Sequence, residues 1–346
     1  MNLVISFLWL IVFLFVILIG ADVFTNSIEW LGAKLKLNEG VLGSVLAAVG
    51  TALPETLVPI IAVLTVGVKA AGDEIGTGSI LGAPFMLSTL AMFITGLTAY
   101  ILVRQKRRGM SMAVDLRLLR RDIIYFLAPY TIAILAAFLP APLGWLKPVI
   151  AVGLLLFYAF YVYKQITDGG ATADDAEDLS PLHFARKNSN PPLWLIIGQV
   201  VIGVGLIAGG AYFFVQNIQQ VATALGIAPV ILSLLIVPYA TELPEKVNSV
   251  LWVRKGKDTL ALGNITGAMV FQSCIPVAFG LAFTEWSINS NGGNGNLAFF
   301  SGAITIMSGI FLLTAMRVKA RLSWRTLMFS GSGYFIYLIF LLFTVR

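Results

Sequence analysis

A short segment that sets a glutamate beside a proline occurs twice in this chain. Residues 50–55 read Gly-Thr-Ala-Leu-Pro-Glu, and residues 240–245 read Ala-Thr-Glu-Leu-Pro-Glu. Both copies lie inside long apolar stretches, where a carboxylate is costly to place and therefore indicates a functional site. A proline inside a helix leaves a backbone carbonyl without its usual donor, and that oxygen can bind a cation. Two such sites at equivalent places in two halves of a chain are typical of a transporter that binds its ion near the middle of the membrane.

Each of these glutamates has a threonine on the same side of its helix. Thr51 and Glu55 are four residues apart, as are Thr241 and Glu245, so each pair shares one helical face. Two carboxylates, two hydroxyls and the carbonyls freed by proline suit a hard cation such as Ca2+, which takes about six to eight oxygen ligands. Gln272 offers a further amide oxygen, and we include it in the predicted cation site.

Glu242 is a third carboxylate of the second motif, three residues before Glu245. It is also four residues before Lys246, a spacing that suits an ion pair on a helix. Two interpretations follow from the spacing: Glu242 binds the cation directly, or it pairs with Lys246. Alternatively, Lys246 extends toward the basic residues Arg254 and Lys255 at the end of the span.

A second pair of segments supports an internal repeat. Residues 78–83 read Gly-Ser-Ile-Leu-Gly-Ala, and residues 263–268 read Gly-Asn-Ile-Thr-Gly-Ala. Both pairs of segments occur in the same order and at nearly the same separation along the chain. The glycines allow neighbouring helices to approach closely, or the helix to unwind locally.

The composition predicts an all-α polytopic membrane protein. The chain has 346 residues, of which 58% are hydrophobic and 12% are charged, whereas soluble domains have about 25% charged residues. Apolar runs of roughly 20 residues are long enough to cross a bilayer. We predict ten spans, at approximately 3–22, 41–67, 74–100, 119–139, 146–164, 193–214, 228–252, 259–283, 297–316 and 325–344.

The polar stretch 168–192 divides the predicted spans into five and five. The predicted organisation is a first five-helix repeat (1–167), a flexible cytoplasmic linker (168–192) and a second five-helix repeat (193–346). Because five is an odd number, the second repeat must insert upside down, which gives two inverted repeats.

Each of the two motifs is followed in the next span by a Gly-[Ser/Asn]-x-x-Gly segment. Together these segments resemble the α-1 and α-2 repeats of sodium/calcium exchangers. Those exchangers belong to the cation/calcium antiporter superfamily. The chain is similar to the prokaryotic members of the family. The resemblance covers essentially the whole chain. It implies alternating access, in which spans 1 and 6 slide against the remainder. It also implies that Glu55 and Glu245 bind Ca2+, and that Thr51 and Thr241 contribute to Na+ or Ca2+ sites.

Several positions depart from that family at ligands for Na+. The residues that replace the family's serine, asparagine or aspartate in this chain are Ala52, Glu242, the segments 82–84 and 267–269, Leu87 and Gln272. Several oxygen ligands for Na+ are therefore missing, which leaves the counter-ion open between Na+ and H+. A carboxyl group at Glu242 can carry a proton, unless pairing with Lys246 holds it ionised.

These observations predict a secondary antiporter that exchanges a divalent cation, Ca2+ first, for Na+ or H+. The alternatives are a cation channel, and an exchanger selective for another divalent cation such as Mg2+ or Mn2+. A third alternative is an intramembrane enzyme that uses the paired carboxylates for acid/base work, but we expect no enzymatic activity because the predicted spans contain no histidine. The single cysteine, Cys274, excludes an internal disulfide. We also expect no cofactor and no nucleic-acid partner. The basic residues lie in short loops between the predicted spans, and this distribution fits a role in membrane topology better than binding of nucleic acid.

The charges of the loops predict the orientation in a prokaryotic inner membrane. The loop after span 3 holds the largest basic excess, with Arg104, Lys106, Arg107, Arg108, Arg117, Arg120 and Arg121 against Asp115 and Asp122. The loops after spans 7 and 9 are basic too, whereas the loops after even-numbered spans carry few basic residues. Because basic loops stay in the cytoplasm, both termini are predicted to lie outside.

Cysteine labelling tests this topology. In a Cys274→Ala background, Asp174→Cys in the linker should react with a membrane-impermeant maleimide only after the cells are permeabilised. Strong labelling of intact cells at position 174 would contradict the predicted orientation.

Overall fold

The computed structural model describes residues 3–34, 47–66, 71–167, 180–188, 190–287, 295–319 and 321–344. Within these ranges the regular structure is helical, apart from one isolated antiparallel bridge between Ser111 and Ser323. The α-helices, in chain order, are α1 Leu3–Lys34, α2 Ala47–Val66, α3 Ala71–Met86, α4 Met92–Arg104, α5 Leu116–Ala136, α6 Leu146–Thr167, α7 Leu193–Leu225, α8 Pro229–Thr241, α9 Leu243–Arg254, α10 Asp258–Phe283, α11 Gly295–Lys319, α12 Trp324–Gly331 and α13 Gly333–Thr344.

Seven helical segments of the described chain are long and apolar enough to cross a membrane. They are Ile5–Lys34, Ile75–Arg104, Leu146–Gln165, Leu193–Leu225, Asp258–Phe283, Asn296–Val318 and Trp324–Phe343. The prediction of an all-helical membrane protein is therefore confirmed. The count of ten spans, the inverted repeat and the boundaries of the two halves stay predictions.

The two longest helices, α1 and α7, pack against each other along glycines. A Cβ atom added to Gly203 of α7 would lie 2.8 Å from the backbone nitrogen of Phe24, and one added to Gly20 of α1 would lie 2.9 Å from that of Ile207. Glycine at such positions lets two helix backbones approach closely within a membrane. The pair also shares one hydrophobic cluster with the facing parts of α2, α3 and α8, while a second, larger cluster lies among the other helices.

Helix α3 crosses α8 equally closely, again through glycines. A side chain at Gly82 would overlap the carbonyl oxygen of Leu234, and a Cβ at Gly78 would lie 2.6 Å from that of Val230. Leu234 is four residues before Pro238, which has no N–H to donate to that carbonyl. The first glycine motif therefore brings the α3 backbone against the proline-disturbed part of α8.

A π-helical turn, Leu87–Ala91, joins α3 to α4 after Pro84. The hydroxyl of Ser308 on α11 donates to the carbonyl of Ser88 within this turn at 2.7 Å. The turn is entirely buried, so this side chain supplies a donor for the disturbed backbone. π-Helical turns are found frequently at functional sites.

The predicted linker is not wholly free. Residues 168–179 lie outside the described part of the chain, but residues 180–188 contact α1 and α7. The backbone N–H of His183 donates to Asn26 at 3.1 Å, and the imidazole of His183 lies 2.8 Å from the carboxylate of Asp22. The first predicted span ends at residue 22, but α1 continues to Lys34, so Asp22 lies within a longer helix.

The loop between α4 and α5 is attached to the start of α10. Arg108 binds both carboxylate oxygens of Asp258, and the N–H of Ala113 donates to the same carboxylate at 2.8 Å. The Asp258 side chain is fully buried. Asp258 is the first residue of α10, and its carboxylate forms an ion pair between distant segments.

Asp258→Asn should destabilise the protein, because it leaves the Arg108 guanidinium without its charged partner. A buried pair broken in this way costs about 3 kcal/mol, so we expect a clearly lower melting temperature in detergent. Arg117→Gln, an exposed basic residue near the same loop, is the matched control and should change little. Equal melting temperatures for the two variants would contradict a stabilising role of this pair.

Candidate cation site

The helix that carries the second motif is interrupted inside the motif. Helix α8 ends at Thr241, α9 begins at Leu243, and Glu242 lies between them with φ −85° and ψ 11°. Pro238 lies within α8, and Pro244 lies in the first turn of α9, where a missing N–H is tolerated. The Glu242 N–H still donates to the Pro238 carbonyl at 3.1 Å, so the two helices form one bent rod and not two separated ones.

The first motif lies on α2, which contains Pro54 and Pro59. Glu55 is buried with 2% of its surface exposed. Neither of its carboxylate oxygens has a hydrogen-bond partner among the described residues. The backbone of Thr51 belongs to α2, but its side chain lies outside the described part of the structure, so its predicted role as a ligand stays untested.

Five of the six predicted site residues come together in the interior. The carboxylates of Glu242 and Glu245 lie close enough to Glu55 to act on its charge, and the Thr241 hydroxyl faces the same carboxylate. Gln272 on α10 faces Glu242. All five side chains are buried, with Glu242 and Glu245 fully so. The cluster thus joins α2, the bend between α8 and α9, and α10.

The polar atoms of this cluster are only partly satisfied by one another. The Thr241 hydroxyl donates to the Val237 carbonyl at 3.0 Å. The amide oxygen and nitrogen of Gln272 have no hydrogen-bond partner in the described structure. The same is true of Glu242 Oε1. Buried polar atoms are rarely left without partners, and an ion or water commonly satisfies them.

The carboxylates converge without forming a closed coordination shell. Within the described ranges, no group of three or more His, Cys, Asp or Glu side chains is close enough together to hold a metal ion. The arrangement therefore offers acidic and neutral oxygens around a common interior region.

Lys246 pairs with Glu242. Its ammonium lies 3.1 Å from Glu242 Oε2 and donates to the Pro238 carbonyl at 3.2 Å. It also lies over the ring of Tyr239, 5.6 Å from the ring centre. The spacing of Glu242 and Lys246 thus corresponds to an ion pair in the structure. Lys246 does not extend toward Arg254 and Lys255.

The two glycine motifs differ in their surroundings. Gly78 and Gly82 press on α8, as described above. A Cβ added to Gly263 of α10 would meet only Leu118, at 3.6 Å, and one at Gly267 would meet no described heavy atom within 4 Å. The expected close packing is thus present in the first half of the chain and absent from the second among the residues described.

Asp122 is a buried polar residue whose place the sequence did not reveal. It was counted among the loop charges after span 3, but it lies within α5 and is 2% exposed. Its carboxylate accepts hydrogen bonds from Thr266 at 3.0 Å and Tyr161 at 3.3 Å. Because Thr266 belongs to the second glycine motif, Asp122 fixes that part of α10 to α5 and α6. The signal in the sequence that could have indicated its burial is its position within a periodic apolar stretch.

The family model for sodium/calcium exchanger proteins matches residues 5–167 and 195–343 of the chain. The chain belongs to the sodium/calcium exchanger family. The resemblance drawn from the two motifs is therefore confirmed. Members of this family are membrane transporters, so the protein is a cation transporter of the membrane and not an enzyme.

Among relatives, the chain is 23% identical over 273 residues to a putative antiporter, CaxA, of Alkalimonas amylolytica, covering 77% of this chain and 76% of that one. Its fold is similar to the crystal structure of the H+/Ca2+ exchanger CAX, with a TM-score of 0.73, 17% identity, and coverage of 97% of this chain and 82% of that one. It is also similar to the sodium-calcium exchanger NCX_Mj, with a TM-score of 0.59, 18% identity, and coverage of 97% and 98%. At these identities the two structures establish the membrane fold of the exchanger family and leave the counter-ion open.

The asymmetry between the glycine motifs of this exchanger can be measured. Gly82→Ala should lower stability by about 1–3 kcal/mol, since the added Cβ overlaps the backbone of α8. Gly267→Ala adds the same atom at the equivalent position of the other half, where there is room, and should be neutral or slightly stabilising. Thermal unfolding of the two variants in detergent is the measurement. An equal loss in both would contradict the asymmetry.

Proposed function

We propose that the protein is a secondary active antiporter that exchanges Ca2+ for H+ or Na+ by alternating access. Its substrate site lies near the middle of the membrane and is built on Glu55 and Glu245, with Thr241, Glu242 and Gln272 around them and Thr51 on the α2 side. The observation that carries this proposal is the convergence of the two motif glutamates, one from each half of the chain, in the protein interior.

The charge of the site suits one divalent cation. Three carboxylates and one ammonium group, Lys246, give a formal charge of −3 + 1 = −2. Ca2+ accepts irregular sets of carboxylate, hydroxyl, amide and backbone oxygens, whereas Mg2+ requires near-octahedral geometry and tends to keep its waters. The mixed oxygens of this cluster therefore favour Ca2+ over Mg2+.

The packing of the helices supports alternating access. Helices α1 and α7, which correspond to the predicted spans 1 and 6, are held together through glycine contacts and face α2, α3 and α8 across an apolar cluster. Their outer faces carry many exposed apolar side chains, as expected of helices that face lipid. We propose that this pair moves as one body past the bend at Glu242 and the motif on α2.

H+ is the favoured counter-ion, and Na+ is the other candidate. Ala83, Leu87 and Ala268, which stand where the family usually has polar side chains, are all buried. These apolar side chains offer no oxygen to Na+. Carboxylates that release Ca2+ can instead accept protons, which keeps the charge of the interior low in both states.

Ion-swap uptake in proteoliposomes tests the function. We expect uptake of 45Ca2+ to be driven by an outward proton gradient, and Mg2+ and Mn2+ to compete less well than Ca2+. Uptake that needs an outward Na+ gradient and ignores pH would make Na+ the counter-ion. Ca2+ flux that follows its own gradient with no counter-flux of either ion would favour a channel and contradict antiport.

Glu55→Gln and Glu245→Gln should each weaken Ca2+ binding by about a hundredfold or more, because a charged oxygen ligand is lost from a region of low dielectric constant. The measurement is binding of Ca2+ to the purified variants, with uptake in proteoliposomes as a second readout. Glu285→Gln, at an exposed glutamate outside the cluster, is the control and should bind Ca2+ as the wild type does. Binding near the wild-type affinity in either site variant would refute the shared site.

A further inference from the structure

Lys246 occupies an environment that resembles the coordination of a monovalent cation. Its ammonium contacts one carboxylate oxygen of Glu242, the carbonyl oxygen of Pro238 and the face of the Tyr239 ring. Carboxylate oxygens, backbone carbonyls at a helix bend and aromatic faces are the groups that hold small cations in membrane proteins. The side chain of Lys246 is only 6% exposed, so this cation is held in the protein interior.

The Lys246 side chain extends toward these contacts and not toward water. Lys246 lies on α9, whose later residues include the basic Arg254, and a lysine near such an end commonly extends toward water. Here the ammonium instead lies beside the bend between α8 and α9 and donates to a carbonyl eight residues earlier in the chain. The bend, with prolines on both sides of Glu242, brings that carbonyl and the Glu242 carboxylate to the same side of Lys246.

We propose that Lys246 is a tethered cation: its ammonium group takes the position of one monovalent ion beside the transport site and so excludes a second, free cation from it. The proposal rests on the proposed function and deepens it. With Lys246 in place the cluster has a formal charge of −2 and is balanced by one Ca2+ alone. Without it, the three carboxylates carry −3, and Ca2+ would leave one charge for an additional monovalent cation.

Lys246 thus determines which ions bind together. In the wild type, Ca2+ and the counter-ion must use the same carboxylates in turn, as an exchanger requires. In Lys246→Met, which keeps much of the side-chain volume but removes the charge, Na+ should bind beside Ca2+ and not only in its place. Glu242 and the Pro238 carbonyl would supply its first ligands.

The test is binding of 22Na+ to the purified protein at saturating Ca2+, with N-methyl-D-glucamine holding the ionic strength constant. We expect no specific Na+ binding to the wild type and about one Na+ per Lys246→Met molecule, with half-saturation at a Na+ concentration at least about tenfold below that of any residual binding to the wild type. Na+ should also raise the melting temperature of Ca2+-saturated Lys246→Met and not that of the wild type.

Two further variants separate the charge from other effects of the substitution. Lys246→Arg keeps the charge and should exclude the additional Na+. The double variant Glu242→Gln/Lys246→Met returns the formal charge to −2 and should lose the Na+ that Lys246→Met gains. Absence of Na+ binding to Ca2+-saturated Lys246→Met, or equal Na+ binding to the double variant, would overturn the tethered-cation proposal. Absence of Ca2+ binding to the wild type would instead refute the proposed function.

Should Lys246→Met fail to fold, the affinity for Ca2+ gives the same information. Glu242→Gln leaves the Lys246 ammonium unpaired beside Glu245 and Glu55 and should weaken Ca2+ binding at least about tenfold. Removing the ammonium as well, in Glu242→Gln/Lys246→Met, should restore most of that affinity. If the double variant binds Ca2+ no better than Glu242→Gln, Lys246 does not act as a cation at the site and the proposal is wrong.

Discussion

The negative charge that the protein holds in its interior is the constraint on which the rest of the structure depends. A single ion is costly to bury in a low-dielectric medium, and three carboxylates near one another also repel. The chain meets this cost with one internal cation, Lys246, with backbone dipoles at the bend before α9, and with neutral oxygens on α8 and α10. The formal charge that remains is −2, which suits the exchange of ions that we propose for this site.

The positions of prolines and glycines follow from the same constraint. Pro238 and Pro244 bend the rod at Glu242, which exposes oxygens to the interior that a straight helix would use for its own hydrogen bonds. Gly78 and Gly82 then allow α3 to lie against this bend, so the disturbed backbone is covered by protein and not by lipid. Backbone irregularity at membrane depth is thus confined to the place where it serves the cluster.

Much of the candidate site could be predicted from the sequence, because intramembrane carboxylates are rare and the motif occurs twice. The motif residues Glu55, Glu242 and Glu245 were selected on that ground, and the structure brings them together. The choice between ligation and pairing at Glu242 could not be made from spacing, because both use the same helical face. Asp122 was counted with the charges of the loop after span 3, although the predicted span 119–139 includes it, and its partners Tyr161 and Thr266 come from helices far along the chain.

The fold class could be predicted from the sequence, whereas the ends of the helices could be predicted less well. Apolar runs locate the helices, but hydropathy cannot tell where a helix ends once it leaves the bilayer, and α1 and α7 therefore run on to Lys34 and Leu225. The asymmetry between the two glycine motifs also has no signal in the sequence, since the two segments are nearly alike. It depends on which helices pack against each segment.

The ion pair between Arg108 and Asp258 has a mechanical consequence. It fixes the loop after α4 to the start of α10, two elements that come from different halves of the chain, and Asp122 adds a second connection between α5 and α10. These connections join the helices around the cluster into a frame, whereas α1 and α7 contact the facing parts of α2, α3 and α8 through an apolar cluster. In the proposed mechanism the ion's ligands belong to this frame, so a small sliding movement of α1 and α7 changes access to the ion and preserves the arrangement of its ligands.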